Sequence, residues 1–395
     1  MSQAVAQLEL KRAAPEVNLP VDIWLVCAVA ALVSLGLVMV ASASISIAAR
    51  QDGGGLYYFW RQLGAIGLGT LVGAVVVRTP LATLQRMSTM CLLAAFVLLV
   101  SVLVPGLGRE VNGSMRWVRF GPLTMQASEP VKLAIVIYVA GYLVRHADQV
   151  KSEFIGFIKP IGVLTLVAGL LLLEPDFGAA VVLFTTVLGM VFMGGVPLAR
   201  FFSWGLAALS ALAAIAILAP YRMKRLMTFM DPWSDPYNTG FQLTQALIAF
   251  GRGEWTGVGL GNSVQKLFYL PEVHTDFIFA VIGEEFGLVG TVSVIALFLF
   301  LVWRIFHVAA LAERAGQSFA AYVAYGVGLL IGIEAFVNIG VNMGILPTKG
   351  LTLPLISYGS NSVVMICVAI SLVTRVAYEA YKAPVKDAST AEAQS

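Results

Sequence analysis

The stretch Pro271–Gly287, PEVHTDFIFAVIGEEFG, closes a long polar interval of the chain and opens a long apolar one. Asp276 stands at that junction, a carboxylate where water is expected to give way to lipid. Thr275 is positioned to cap a helix starting at Asp276, and steps of four along it bring Ala280 and Glu284 onto one face. On that reading Glu284 lies roughly 12 Å further along the axis at the usual helical rise. Carboxylates at membrane depth are costly and are functional candidates by default. The plainer alternative is that Asp276, Glu284 and Glu285 pair with Arg or Lys on neighbouring helices.

Composition places this stretch in a membrane protein. Hydrophobic residues make up 59% of the chain and charged residues 12%, against roughly 45–50% and 25% in soluble domains. The first twenty residues are polar, so no cleavable signal is expected ahead of the first span. Cys27, Cys91 and Cys367 lie far apart inside apolar runs, which argues against a disulfide framework or zinc site and for small buried hydrophobes. A net charge of +3 is too small to point to nucleic acid.

The expected fold is an all-α integral membrane protein of about ten transmembrane helices, near 22–46, 57–77, 87–104, 129–144, 160–173, 178–194, 201–219, 276–303, 318–345 and 355–376. A single membrane domain, 22–380, is flanked by cytoplasmic tails 1–21 and 381–395. Orientation follows the basic residues of the short loops: Arg78, Arg86, Arg145, Lys151, Lys159, Arg200, Arg304 and Arg314 fall on one side with both tails, which is therefore the cytoplasmic side. Two longer segments face out, 105–128 and a large structured loop, 220–275, between helices seven and eight. The first carries Arg109, Arg116 and Arg119, with Glu129 and Lys132 one turn into the next helix, and implies a cationic concavity. The second is dense in Gly and Pro and too long for a simple connector. In span nine Glu334, Asn338 and Asn342 share a face at intervals of four, a pattern suited to interhelical hydrogen bonds. Gly328, Gly332, Gly340 and Gly344 offer small-residue spacing for close approach. His274, two residues from Asp276, is a candidate proton partner.

Three segments, VNGSMRWVRFGPLTMQASEPVKL, GFQLTQALIAFGRGEWTGVGLGNSVQKLFYLPEVHTDFIFAVIGEEFGLVG and LPTKGLTLPLISYGSNS, resemble the signature regions of the SEDS family (shape, elongation, division and sporulation). The likeness runs from about Asp22 to about Arg375. The TKGLTLPLISYG run around Lys349 and the VMVASAS run ending the first span favour its division branch over its elongation branch. Ala127 stands where the family usually has Pro, and Ser360-Asn361 where it usually has Gly-Ser.

The resemblance implies a ten-span peptidoglycan glycosyltransferase of the bacterial inner membrane, acting at the division septum and polymerising lipid II into glycan strands on the outer face. It implies Asp276 as the catalytic residue. Arg61, Gln62, Arg116, Lys132 and Lys349 are implied at substrate-binding positions, with Glu129, Thr275, Glu284 and Glu285 in support. It implies as partners a class B penicillin-binding protein of the FtsI type and other division proteins. The chemistry is compatible with the residues: pyrophosphate is a good leaving group that needs positive charge more than a proton, so one base and several cations suffice. The direction in which the Asp276 pKa moves is open, since cations and a helix amino terminus lower it while burial raises it. No cofactor is required, and a divalent cation (Mg or Mn) is left open because Asp276, Glu129 and a diphosphate all supply hard oxygen ligands. Two other classes compete: a lipid II flippase with Glu284, Glu285, Glu334, Asn338 and Asn342 as a polar path, and a non-catalytic division scaffold.

Overall fold

The computed structural model describes residues 22–50, 54–111, 114–120, 123–199, 227–238, 240–267, 270 and 272–382, with isolated positions between 201 and 217. Helices dominate: α1 (Ile23–Arg50), α2 (Tyr57–Arg78), α3 (Leu81–Leu103), α4 (Ser128–Arg145), the short α5 (Ala147–Ser152), α6 (Phe154–Leu173), α7 (Phe177–Met193), α8 (Phe241–Gly253), α9 (Ile278–Arg314), α10 (Ser318–Asn342) and α11 (Ser360–Lys382). Among the described residues seven of these are long and apolar enough to cross a membrane, and α7 is a shorter apolar helix. The span expected at 201–219 lies largely outside the described residues, as do both tails.

The boundaries follow local chemistry. Pro80 stands at the N-cap of α3 with φ −61°, which moves the start of that helix ahead of the expected residue 87 because Pro is pre-set for a first helical turn. Asp176 caps α7 by accepting from the Ala179 N–H at 3.2 Å, so the Glu174-Pro175-Asp176 turn separates α6 from α7 as its composition suggests. The centre of the bundle is α10, which packs on α4, α7, α9 and α11. Gly328 lets it approach α9: a Cβ there would lie 2.6 Å from the Phe306 ring. Cys27 is exposed rather than buried, on an α1 face that also shows Ile23, Trp24 and Val26.

Two features correct the expected fold. The chain is not all-α: Gly108–Val111, Ser114–Phe120 and Leu123–Gln126 form an antiparallel sheet in the order β1-β2-β3. In β2 the alternation of a strand puts Arg116 and the buried Val118 on one face and exposed Arg119 on the other. The helix expected from Asp276 begins at Ile278, and residue 287 interrupts it with φ 64° and ψ −156°. Only glycine sits comfortably there. The backbone around Gly253 and Gly257 crowds against Gly287, and the carbonyls and N–H groups released by the interruption are taken by that loop. Val258 and Gly259 donate to the Glu284 and Glu285 carbonyls, each at 3.0 Å, while Leu288 and Val289 donate to the Glu254 and Trp255 carbonyls at 2.9 and 3.1 Å.

Candidate functional site

Asp276 lies in a turn ahead of α9, at the end of the bundle that carries the sheet. The Glu272 carbonyl gathers the N–H groups of Thr275, Asp276 and Phe277 at 3.2, 3.1 and 3.3 Å. Thr275 does not cap the helix; its hydroxyl donates to the Glu272 carboxylate at 2.8 Å and so braces the same turn. From α10, Asn338 and Asn342 each donate from Nδ2 to the Asp276 carbonyl at 2.9 Å, and Asn342 Oδ1 accepts from the Ala280 N–H at 3.1 Å. Two buried amides thus fix the backbone of Asp276 while leaving its carboxyl uncommitted: among the described residues no hydrogen bond or ion pair reaches that carboxyl.

What surrounds the carboxyl is close backbone and more distant charge. A Cβ at Gly350 would lie 2.9 Å from Asp276 Oδ2, so the loop bearing Lys349 can run this near only because residue 350 is glycine. The Lys349 ammonium sits 4.0 Å from the centre of the Phe177 ring, at the start of α7. Burial pushes the Asp276 pKa up to about 7; the Glu272 carboxylate adds to the rise and Arg116 opposes it. Desolvation therefore wins the contest that the sequence left open, and gives a carboxyl of the basicity a general base needs near neutral pH.

Arg116 reaches this region from β2, donating from Nε to the Glu174 carbonyl at 3.3 Å and from its terminal NH2 to the Pro175 carbonyl at 2.6 Å. His274 lies between Tyr58 and Tyr358, its ring tilted against both, with ring centres 4.7 and 5.6 Å away. Burial lowers its pKa, against the pull of Glu272, so the ring is neutral and aromatic packing surrounds it. Arg61 is exposed and donates to the Tyr57 hydroxyl at 2.9 Å.

The remaining site candidates are held inside the protein. Gln62 is fully buried, donating to the Ser357 carbonyl at 2.9 Å and accepting from the Gly359 N–H at 3.4 Å, so it ties α2 to the segment before α11. Lys132 is buried between Glu129, at 3.0 Å, and Glu334, joining α4 to α10. Glu284 does not lie beneath Asp276 on a shared face. It binds Arg252 at 2.7 Å, the Val264 and Gln265 N–H groups at 3.0 and 3.3 Å, and the Ser263 hydroxyl. Glu285 pairs with Lys266 at 2.9 Å and accepts from Ser42. The plainer reading thus holds for Glu284 and Glu285 and not for Asp276. The sequence reading missed Glu174, whose carboxyl is enclosed beside Arg116; a second acid in the Glu174-Pro175-Asp176 turn was the available signal.

A multi-pass helical bundle with an uncommitted carboxyl raised to about 7 and separate Arg and Lys side chains at one end suits a membrane protein built for chemistry on a charged substrate. Comparison with known proteins makes the class specific. Residues 23–382 match the family described as cell cycle protein, that of FtsW, RodA and SpoVE. The chain is 52% identical over 363 residues to the probable peptidoglycan glycosyltransferase FtsW of Hahella chejuensis, covering 92% of this chain and 91% of that one. It is 53% identical over 358 residues to the protein of the same name from Nitrosococcus halophilus, covering 91% and 92%. Among solved structures it resembles the rod shape determining protein RodA of Thermus thermophilus, with TM-score 0.69, 30% identity and coverage of 92% and 99%. It also resembles a chain of a peptidoglycan synthase complex solved to explain how polymerization and crosslinking are coordinated, with TM-score 0.74, 31% identity and the same coverage. The chain belongs to the FtsW, RodA and SpoVE family of cell cycle proteins.

Proposed function

We propose that this protein is a peptidoglycan glycosyltransferase that polymerises lipid II at the outer face of the bacterial inner membrane, in septal wall synthesis, with Asp276 as general base. The observation that carries the reading is the Asp276 carboxyl itself: fixed through its backbone, free at its oxygens, and raised to about 7 by burial. An acceptor sugar hydroxyl attacks the anomeric carbon of the lipid-linked donor as its proton passes to Asp276. The bond from that carbon to the diphosphate breaks, the diphosphate leaves with the electron pair, and the centre inverts. Arg116 and Lys349 supply positive charge for the leaving group, and Arg61 meets the substrate at the membrane boundary. The names of the relatives, probable peptidoglycan glycosyltransferase FtsW, agree with this assignment.

Gln62, Lys132, Glu129, Thr275, Glu284 and Glu285 act on this reading by holding the frame of the site. A divalent cation, Mg or Mn, would draw on diphosphate oxygens and the Asp276 carboxylate; among the described residues no three His, Cys, Asp or Glu side chains gather to hold one by themselves. The mechanism routes no step through it. A class B penicillin-binding protein of the FtsI type is the proposed partner, and the likeness to a chain of a peptidoglycan synthase complex is what favours it. The flippase alternative needs a polar path, but Glu284, Glu285, Glu334, Asn338 and Asn342 are each bonded within the protein. The scaffold alternative gives no reason to keep a desolvated, unpaired carboxyl.

The deciding experiment supplies fluorescent lipid II to the purified protein with its FtsI-type partner, the partner's transpeptidase site blocked. Polymer from wild type and none from a folded Asp276→Asn variant is the expected result. Polymer from both would remove Asp276 from the chemistry, and lipid crossing the bilayer without polymer would move the protein to the flippase class.

A further inference from the structure

Glu174, at the C-terminal end of α6 and outside the spanning segments, is fully buried, and neither of its carboxyl oxygens has a hydrogen-bond partner among the described residues. Buried polar atoms are ordinarily bonded, and an exception calls for an account. A partner is at hand and is not used. Arg116 donates to the backbone carbonyls of Glu174 and Pro175 at 3.3 and 2.6 Å rather than to the carboxyl. Asp176, the other acid of this turn, accepts from the first turn of α7. The turn therefore seats the arginine by its main chain and leaves the Glu174 carboxyl beside it without a bond. An isolated carboxylate in such a place is strongly disfavoured, and the group keeps its proton instead.

We propose that Glu174 is a positioning residue for glycosyl transfer, held as the neutral acid so that the charge of Arg116 stays available to Asp276 and to the departing diphosphate. The proposal rests on the glycosyltransferase reading above. A charged Glu174 would compete for the same guanidinium, drawing its field away from the reaction centre. Among the described residues the charged groups that act on Glu174 are Arg116 from β2 and Asp176 from its own turn. Burial is the leading cause that pushes its pKa up to about 8, Asp176 reinforcing and Arg116 opposing. Below that pH Glu174 is neutral and Arg116 serves the site; above it the carboxylate forms and donor use weakens. Asp276 must be ionised to accept a proton, so its rise to about 7 sets the acid limb of the rate profile and Glu174 the alkaline limb.

The test is the rate of lipid II polymerisation by the full chain with its blocked partner, followed from about pH 6 to about pH 9.5. Glu174→Gln keeps the shape of the side chain and removes its titration. It is expected to match wild type near neutrality and to lose the alkaline limb, exceeding wild type by several-fold, up to about tenfold, one pH unit above the Glu174 pKa. An alkaline limb unchanged in the variant overturns the proposal. Infrared spectroscopy of the same purified protein, without lipid II, supplies a separate measurement. Beside the Asp276 band, lost with a midpoint near 7 in both proteins, a second protonated-carboxyl C=O band is expected, absent from Glu174→Gln and lost from wild type with a midpoint near 8. A wild-type spectrum without such a band overturns the proposal even if the variant fails to fold. A protein that shows the band but makes no polymer retains a neutral Glu174 while the glycosyltransferase reading fails.

Discussion

Asp276 and the pair Glu284-Glu285 lie within ten residues of one another, the first in the turn ahead of α9 and the pair in its opening turns, yet the protein treats them in opposite ways. At Glu284 and Glu285 each carboxylate is buried and answered, by Arg252 and loop N–H groups in one case and by Lys266 and Ser42 in the other. At Asp276 the backbone is answered, by Asn338 and Asn342, and the carboxyl is not. Satisfied charges hold a loop in place; an unsatisfied one keeps its basicity. The difference separates residues that build the site from the residue proposed to react, although all three look alike as acids beside an apolar run.

The sharpest way to break this comparison is to neutralise each acid in turn. Asp276→Asn is expected to lower polymerisation by about 10²–10⁴-fold, the range removed with a general base, while the melting temperature in detergent stays the same or rises. The sign follows from linkage: burial lifts this pKa above its unfolded value, so the ionised side chain opposes folding at all pH values above that unfolded value, and the amide relieves it. A lower melting temperature would show that Asp276 has a structural role. Glu284→Ala should behave in the reverse manner, leaving Arg252 and two loop N–H groups without their acceptor. A loss of about 3–5 kcal/mol is expected, mainly from the loop N–H groups and the Ser263 hydroxyl left without an acceptor, since Arg252 is partly exposed and water can take its charge; it is read as a lower unfolding midpoint and a protease-sensitive loop at 254–267. A Glu284→Ala protein with wild-type stability would erase the contrast.

A third test moves to the buried trio of α4 and α10. Lys132→Ala strands Glu129 and Glu334, and its cost is expected to fall below that of Glu284→Ala, about 2–4 kcal/mol, because the two carboxyls can take up protons in place of the lost ammonium. Weaker use of the lipid donor should accompany it, through displacement of Asn338 one turn away on α10. Unchanged kinetics in a folded variant would detach this trio from the site.

Much of this architecture was legible in the sequence. Apolar runs located the seven long apolar helices found among the described residues, because hydropathy is a bulk property of twenty residues, and the four-residue interval of Glu334, Asn338 and Asn342 placed them on one inward face. Three things were not legible. The strands at 108–126 are short, and their Gly and Arg content reads as loop, although the alternation in MRWVRF carried a weak strand signal. The interruption at Gly287 depends on a loop some thirty residues earlier in the chain filling the gap, a long-range contact that no local pattern announces. The start of the helix at Ile278, which leaves Asp276 in a turn, is what takes Asp276 off the face of Ala280 and Glu284. The pKa of Asp276 depended on the balance of burial against Arg116, a sum that exists only once the chain has folded.

The smallest expected effect probes that balance. Glu272 carries the turn of Asp276 and raises its pKa by charge repulsion, second to burial. Removing that charge in Glu272→Gln should move the acid limb of the rate profile to lower pH by a few tenths of a unit, since a like charge near the surface is partly screened by salt. The Glu272 backbone carbonyl that gathers the turn is retained, and the Gln side chain still offers an acceptor to Thr275, so the rate on the plateau should not change. Raising the ionic strength should shrink the wild-type difference toward the variant. A shift in the opposite direction would mean that Glu272 positions the turn through its carboxylate rather than acting by charge, and the unpaired character of Asp276 would then depend on Thr275 and Glu272 together.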